Sequence, residues 1–260
     1  AGVPTQQANY AYISSGTWSL VGLELPQPIV NEAALAAHVT NEGGAFGTTR
    51  LLKNVMGLWS VQQCRQAWAQ AGEPLDYGML TQMAAEATPL QGHVMVNNGR
   101  FLPPGNHPAI VKDLCRKGGQ PVPQSKGEIV RCVLESLALK YRDVLEKLKA
   151  LSGQAVEVIH VVGGGSQNRL LNQFTANATG VPVLAGPIEA TELGNGLVQP
   201  ATKPDASVTV RCAAVPGDHR RRRRGSRISP VPTQRGPRAA HHAGRDRRFA
   251  ARACRDCQLV

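Results

Sequence analysis

One stretch indicates the fold class of this chain: Val156-Glu-Val-Ile-His-Val-Val-Gly-Gly-Gly-Ser-Gln-Asn168. Its first part is a run of apolar, mostly β-branched residues, which is typical of a buried strand. Three glycines end the run, and a helix is predicted over 167–178, with Gly180 as its stop. A short strand over 181–185 and a helix beginning at 189 follow. This order of strand, glycine turn, helix, strand and helix indicates an α/β fold.

The glycine turn is a candidate nucleotide site. Gly163, Gly164 and Gly165 carry no side chains that would block a flat base or a phosphate, and a helix N-terminus follows them. The spacing is not the dinucleotide fingerprint Gly-x-Gly-x-x-Gly, because Asn168 stands where the third glycine is needed. The segment alone does not separate a nucleotide site from a structural turn. His160, inside the strand, is predicted to be a packed core residue rather than a base.

A long amphipathic helix precedes this strand. Ser125 and Glu128 form a capping box at its start, and Gly153 supplies its stop. Its apolar face is formed by Ile129, Val133, Leu134, Leu137, Tyr141, Val144, Leu145 and Leu148. Three shorter helices are predicted over 31–39, 77–87 and 109–117.

A second candidate site lies near the start of the chain. The small residues Ser14, Ser15, Gly16 and Thr17 separate two apolar runs, which indicates a strand, a tight turn and a second strand. Small residues let backbone N–H groups approach an anion, and the hydroxyls add donors, so the turn suits a triphosphate. An ordinary tight turn explains the same residues, and this segment alone favours that simpler interpretation.

The segment 48–69 has apolar residues at helical spacing, and we predict a helix there. An asparagine has low propensity inside a helix, so Asn54 needs a functional reason. Gln62 lies two turns beyond Asn54 on roughly the same face of the predicted helix. Both side chains are therefore expected to face one cleft, whereas Lys53 is expected to be a solvated surface charge.

The net charge of +11 comes from the last sixty residues. Residues 1–200 hold 14 basic and 14 acidic side chains, and residues 201–260 hold 15 and 4. The region 200–260 includes five successive arginines, Arg220 to Arg224, and lacks apolar periodicity, so we predict a disordered basic tail after a domain that spans 1–199. The abrupt change of composition favours a frameshifted reading. A nucleic-acid-binding arm is the alternative.

The remaining composition points to a cytoplasmic protein. Six cysteines without a regular framework favour a reducing compartment. No apolar run reaches the roughly 18 residues that a membrane span needs, and the first residues lack the basic and apolar regions of a signal peptide. We therefore expect no membrane partner.

Six segments in fixed order resemble the C-terminal half of the FGGY carbohydrate kinases, over about residues 8–199. They are ISSGTWSLVGLE, TNEGG, LLKNVMGLW, EIVRCVLESLALKY, VIHVVGGGSQNRLLNQ and AGPIEATELGN. That family has two actin-like, ribonuclease H-like domains that hold nucleotide and sugar in the cleft between them. The resemblance implies an actin-like ATPase domain here, with ATP and Mg²⁺ as cofactors.

The resemblance also assigns roles to individual residues. Gly16 and Thr17 belong to a phosphate loop, and Gln62 reaches the nucleotide. Gly163, Gly164 and Gly165 lie against the adenosine. Asn54 contacts the sugar, and the implied substrate is L-rhamnulose, which the reaction would convert to L-rhamnulose 1-phosphate.

Two further features bear on the resemblance. A cysteine pair of the family matches Cys115 and Cys132, which implies a disulfide between them. The segment 96–100, Val-Asn-Asn-Gly-Arg, departs from the acidic, proline-containing run expected at this place, so the role of this cleft-side loop is open.

The family places its first phosphate loop, most sugar contacts and an Asp general base upstream of the segments matched here. Phosphoryl transfer needs ATP in line with the acceptor hydroxyl and a base for its proton. We therefore expect that this chain holds no catalytic residue, needs an N-terminal kinase half as partner and is inactive alone. The alternatives are an actin-like nucleotide-binding module of a non-kinase type and, driven by the tail, a nucleic-acid-binding protein.

Overall fold

The computed structural model of the protein describes residues 2–5, 7–201 and 226–231. These residues form one seven-stranded sheet with seven α-helices around it. The strands are β1 (Tyr10–Ser15), β2 (Trp18–Leu25), β3 (Thr40–Gly43), β4 (Thr49–Met56), β5 (Val158–Val162), β6 (Val183–Ala185) and β7 (Ser226–Ile228). The helices are α1 (Glu32–Ala36), α2 (Trp59–Gln70), α3 (Tyr77–Glu86), α4 (His107–Lys117), α5 (Lys126–Ser152), α6 (Arg169–Thr179) and α7 (Ala190–Ala201).

The sheet is mixed, with the order β3-β4-β2-β1-β5-β6-β7. Strands β1, β5 and β6 are parallel, so their carboxyl ends meet at one edge of the sheet. Strands β2, β3 and β4 are joined in antiparallel pairs beside β1. All five residues of β5 are buried, as the apolar run predicted. Helices alternate with the parallel strands, which confirms the α/β prediction.

Helix α5 is the centre of the packing. Both hydrogen bonds of the predicted capping box between Ser125 and Glu128 are present, and Gly153 ends the helix with a φ of 69°. Each residue of the predicted apolar face is buried, and α5 packs against α3, α6, β2 and β4. Truncation of one such buried leucine to alanine costs about 2–5 kcal/mol. None of the helices in the described ranges is both long and apolar enough to span a membrane.

The structure corrects the prediction of one helix over 48–69. Residues 49–56 form strand β4, which lies between β3 and β2 in the sheet, and helix α2 begins only at Trp59. Neighbouring residues Leu51 and Leu52 are both fully buried, because β4 is covered on both faces. A strand buried on both faces has no alternation of apolar and polar residues, so it resembles a buried helical segment in sequence.

Part of the region predicted to be a disordered tail forms strand β7. It pairs antiparallel with β6, with Ile228 opposite Val183, and Ile228 packs against the main core. Residues 202–225 and 232–260, where the rest of the predicted tail lies, are outside the described residues. The domain boundary near 199 and the frameshift stay predictions.

Candidate functional site

A cavity of about 1040 Å³ opens at the carboxyl ends of β1 and β5, between helices α3 and α6. Five of the six predicted nucleotide-binding residues line it, although they come from three separate parts of the sequence. They are Gly16, Thr17, Gln62, Gly164 and Gly165. The fold therefore brings the hairpin turn, the start of α2 and the glycine turn to one place.

The hairpin turn between β1 and β2 is fastened to the beginning of α2. Leu58 N donates to Gly16 O at 2.9 Å, and Trp59 N donates to Thr17 O at 3.2 Å. Within the turn, Gly16 N donates to Trp18 O at 2.9 Å. These bonds fix the backbone of the turn relative to α2, so the turn cannot move independently of the cavity wall.

Gly57, which the sequence analysis did not single out, makes this attachment possible. It lies between β4 and α2 directly beneath the hairpin turn. A Cβ atom at Gly57 would lie 2.5 Å from Ser19 Oγ and 2.8 Å from Gly16 O. Both separations are far below contact distance, so this position requires glycine. The signal available in the sequence was a lone glycine inside the segment predicted to be helical.

The side chains of Thr17 and Gln62 contact each other at the mouth of the cavity. Thr17 Oγ1 lies 3.3 Å from Gln62 Oε1 and 3.2 Å from Gln62 Nε2. The Thr17 side chain is exposed, and Gln62 is half-buried on α2. Both groups can therefore exchange this mutual contact for a ligand.

Asn54 occupies a different place from the one predicted. It lies on β4 opposite Leu20, with an exposed side chain, and it is outside the cavity lining. It does not share a helix face with Gln62, because the helix begins after it. Asn97 connects the loop at 96–100 to this strand: its Oδ1 accepts from Met56 N at 3.0 Å, and its Nδ2 donates to Asn54 O at 3.4 Å.

The three glycines of the second turn have different surroundings. A Cβ at Gly163, where φ is 83°, would lie 2.8 Å from Ser15 O, and one at Gly165 would collide with Ser15 Oγ. Gly164 has no atom within 4 Å of its Cβ position. Two of the glycines thus permit contact between the turn and β1, while Gly164 leaves open space for a ligand. Gly163 is not among the residues that line the cavity.

The remaining walls suit a neutral ring with an anionic group attached. The lining combines polar and apolar side chains. The polar ones include Thr81, Gln82, Asn168 and Gln173, and the apolar ones include Leu58, Val61 and Val130. Arg169 is the one charged residue in the lining, counted over the described part of the chain. Because the one charged side chain in this lining is a cation, the cavity favours an anionic ligand.

His160 lies outside the cavity lining. His160 is buried in β5, with its ring edge-on to Tyr10 at 5.8 Å, and burial lowers its pKa. Within residues 2–5, 7–201 and 226–231, no group of three or more His, Cys, Asp or Glu side chains could hold a metal ion.

The implied disulfide is not formed. Cys115 in α4 and Cys132 in α5 are buried free thiols with their Sγ atoms 3.9 Å apart. A disulfide needs a separation of about 2.05 Å, so the expectation was wrong for this structure. The resemblance located the neighbouring pair correctly but not its covalent state.

Comparison with known proteins gives one family. Residues 11–201 match the profile of the FGGY family of carbohydrate kinases, C-terminal domain. A rhamnulokinase from Bacteroides thetaiotaomicron is 47% identical over 207 residues, covering 80% of this chain and 42% of that protein. One from Pectobacterium carotovorum subsp. carotovorum is 48% identical over 195 residues, covering 75% and 38%. The chain therefore spans about two fifths of the length of these curated relatives.

Solved structures agree on the fold. The ligand-bound xylulose kinase from Lactobacillus acidophilus aligns with a TM-score of 0.63 at 14% identity, covering 98% of this chain and 48% of that one. The gluconate kinase from Lactobacillus acidophilus aligns with a TM-score of 0.60 at 16% identity, with the same coverage. This likeness confirms the predicted fold class, an actin-like α/β domain.

Proposed function

The chain belongs to the FGGY family of carbohydrate kinases, and we propose that it is the C-terminal, ATP-binding half of a kinase that phosphorylates L-rhamnulose to L-rhamnulose 1-phosphate. The observation that carries the proposal is the single cavity lined by Gly16, Thr17, Gln62, Gly164 and Gly165. The rhamnulokinase relatives support the choice of sugar. The alternative of a non-kinase actin-like module is not favoured, because the family and its relatives are sugar kinases.

The proposal assigns the two ends of ATP to the two turns. The phosphates lie against the hairpin turn, where the Thr17 hydroxyl and the Gln62 amide donate to phosphate oxygens in place of their mutual contact. The adenosine lies over Gly164, whose missing side chain leaves room for it, and extends between α3 and α6. Gly163 contributes indirectly, because it lets the glycine turn approach Ser15.

Mg²⁺ would enter as part of the nucleotide complex. Magnesium favours carboxylate oxygens and waters, and the cavity lining contains no Asp or Glu among the described residues. The residues present therefore do not fit a protein-held magnesium ion, and we assign none of them to the metal.

We place the sugar beside the exposed side chain of Asn54. This residue lies near the end of β4 that precedes Gly57. Because the chain spans about two fifths of its relatives, the activity belongs to the whole protein. We propose that the general base and most sugar contacts come from the other half of the kinase.

Calorimetric titration of the chain with ATP tests the nucleotide site. Gly164→Val should weaken binding at least tenfold, since its side chain would fill the space assigned to adenosine, and Thr17→Ala should weaken it by a smaller factor of about three to ten. Gly43→Val is the matched control, because its Cβ also points to open space but lies on edge strand β3. Equal affinity in Gly164→Val and Gly43→Val would contradict the site.

A further inference from the structure

A group of buried hydroxyls lies directly beneath the hairpin turn. Tyr141 of α5 places its OH 2.7 Å from Ser19 Oγ, and the two side chains are almost completely buried, at 2% and 0% exposure. Ser15, at 2% exposure, lies on the opposite strand to Ser19, and its Oγ is buried without a hydrogen-bond partner among the described residues. Buried hydroxyls cost free energy unless they are hydrogen-bonded, so this group is not an ordinary part of an apolar core.

The cluster formed by Tyr141, Ser19 and Ser15 contacts each segment on the phosphate side of the cavity. Ser15 and Ser19 are opposite each other in the β1–β2 register, immediately before and after the turn. Gly57 closes over Ser19 Oγ, and Gly165 closes over Ser15 Oγ. The bond from Tyr141 to Ser19 therefore reaches the hairpin turn and the junction of β4 with α2. Ser15, paired with Ser19 in the strand register, carries the contact with the glycine turn.

We propose that the Tyr141 hydroxyl is a positioning group for the nucleotide phosphates, because it holds the hairpin turn and the glycine turn at a fixed distance from each other. The proposal rests on the proposed function, since it concerns the same cavity. Removing the hydroxyl leaves Ser19 Oγ buried without this partner, which costs free energy. We expect the backbone that carries Ser19 to shift and so reduce this penalty. Only Trp18 separates Ser19 from Thr17 along that backbone.

The hydroxyl acts as a neutral hydrogen-bonding group. Burial raises the pKa of Tyr141 to about 12, and the Ser19 and Ser15 hydroxyls act in the opposite direction. The phenol is therefore protonated at physiological pH, and its effect on phosphate must pass through the position of the turns. This is why phosphate and base should respond differently when the hydroxyl is lost.

Tyr12 provides a matched control. It is also a buried tyrosine, at 6% exposure, but it lies on β1 with its ring packed over Gly22 in β2. Its hydroxyl is buried without a hydrogen-bond partner among the described residues. Tyr12→Phe thus removes a buried phenol oxygen without touching Ser15, Ser19 or either turn.

The test compares ATP with adenosine on the full chain. Tyr141→Phe should weaken ATP binding about tenfold, the loss expected for one buried hydrogen bond, and should change adenosine affinity less than about twofold. Tyr12→Phe should leave both affinities as in the wild type. Equal losses for ATP and adenosine would indicate a general structural defect and overturn the proposal, as would unchanged binding of both.

Amide hydrogen exchange of the ligand-free chain gives an independent measurement. Tyr141→Phe should accelerate exchange at residues 15–19 and 163–166 and nowhere else in the sheet, whereas Tyr12→Phe should not. A wild-type chain that bound no ATP would refute the proposed function, and the exchange pattern would still decide whether Tyr141 holds the turns. Unchanged exchange at both turns would overturn the proposal.

Discussion

At the scale of single residues, the site depends on where side chains are absent. Gly57, Gly163 and Gly165 permit three segments to approach within contact distance, and each would collide with a neighbour if it carried a Cβ. Gly164 differs, because its open side faces the cavity. Glycines that look alike in the sequence thus divide into those that let the segments come into contact and one whose open side faces the cavity.

Gly57→Ala separates these roles. The added methyl would press on Ser19 Oγ and Gly16 O, so we expect a loss of about 1–3 kcal/mol in the free energy of unfolding and weaker ATP binding. Gly43→Ala, where the new methyl meets nothing within 4 Å, should be neutral. Urea denaturation and ATP titration of both variants check this. A Gly57→Ala protein as stable as Gly43→Ala would mean that the hairpin turn moves freely.

At the scale of elements, one ion pair joins the two walls of the cavity. Arg131 of α5 bonds Glu135 at 2.7 Å, donates to Ala84 O and Ala85 O at the end of α3, and lies 5.0 Å over the ring of Phe174 in α6. Both charged side chains are buried. The spacing of α3, α5 and α6 therefore depends on a polar contact within an apolar interface.

Breaking this pair from one side should be costly. Arg131→Met leaves the Glu135 carboxylate buried without its cation, and we expect a loss of about 3–5 kcal/mol of stability. Changing Glu135→Leu in the same protein should recover part of that loss, because the unpaired charge is gone. The three proteins can be compared by denaturant unfolding. A double variant less stable than Arg131→Met would contradict the explanation.

The capping box of α5 makes a pH-dependent contribution. Backbone N–H groups of Gln124 and Ser125 donate to Glu128 Oε2 and lower the pKa of this carboxyl. A carboxyl whose pKa is lower in the folded protein stabilises it above the unfolded pKa, about 4.3 for glutamate. The contribution is lost as the pH falls through the folded pKa.

Glu128→Gln should therefore destabilise the protein at pH 7, by an amount that shrinks below about pH 4. The matched control is Glu146→Gln, at the other end of α5, which removes only an exposed pair with Lys149. Its effect should be small, since surface pairs contribute about 0–1 kcal/mol. Thermal unfolding of both variants between pH 3 and pH 7 gives the comparison, and a constant effect of Glu128→Gln over this range would contradict the role of the carboxylate.

At the scale of the whole molecule, strand β7 and the residues after it attach part of the region beyond residue 201 to the domain. Ile228 packs against the core, Gln173 Nε2 donates to Ser229 O at 3.0 Å, and Val231 N donates to Asn177 Oδ1 at 3.0 Å. The frameshift interpretation of 200–260 is a statement about the gene, and sequencing the DNA around codon 200 decides it. A frameshifted segment can still add a strand to an open edge, because backbone hydrogen bonds do not depend on side-chain identity.

Truncation after Ala201 tests the contribution of β7. Removing the strand exposes the edge of β6 and the core side chains that Ile228 covers. The shortened chain should therefore lose about 1–2 kcal/mol of stability. Ile228→Asp in the full chain should have a similar effect. Identical urea midpoints for the full and truncated chains would show that β7 adds nothing to the fold.

The proposed kinase activity also belongs to this scale. The chain alone should form no ADP in response to L-rhamnulose, because positioning and proton transfer each contribute orders of magnitude in rate. Co-expression with the unmatched N-terminal part of the Bacteroides thetaiotaomicron rhamnulokinase should restore measurable turnover, and Gly164→Val should abolish it. Rhamnulose-dependent turnover by the chain alone would contradict the division of the site between two halves.

Features that neighbouring residues encode could be predicted from the amino-acid sequence. The capping box at Ser125, the stop at Gly153, the buried strand of β5 and the glycine turn after it depend on local propensity and on hydrogen bonds between residues a few positions apart. Motif resemblance added the family, and with it the residues that line the cavity.

Other features depended on contacts between residues far apart in the sequence, and local sequence patterns could not predict them. Residues 49–56 form a strand because both of its edges pair with β2 and β3, partners that no local pattern records. The contact of Tyr141 with Ser19 joins residues 122 positions apart, and the free state of Cys115 and Cys132 depends on the separation of two helices. The cavity itself exists only because parallel strands place the ends of distant segments at one edge of the sheet.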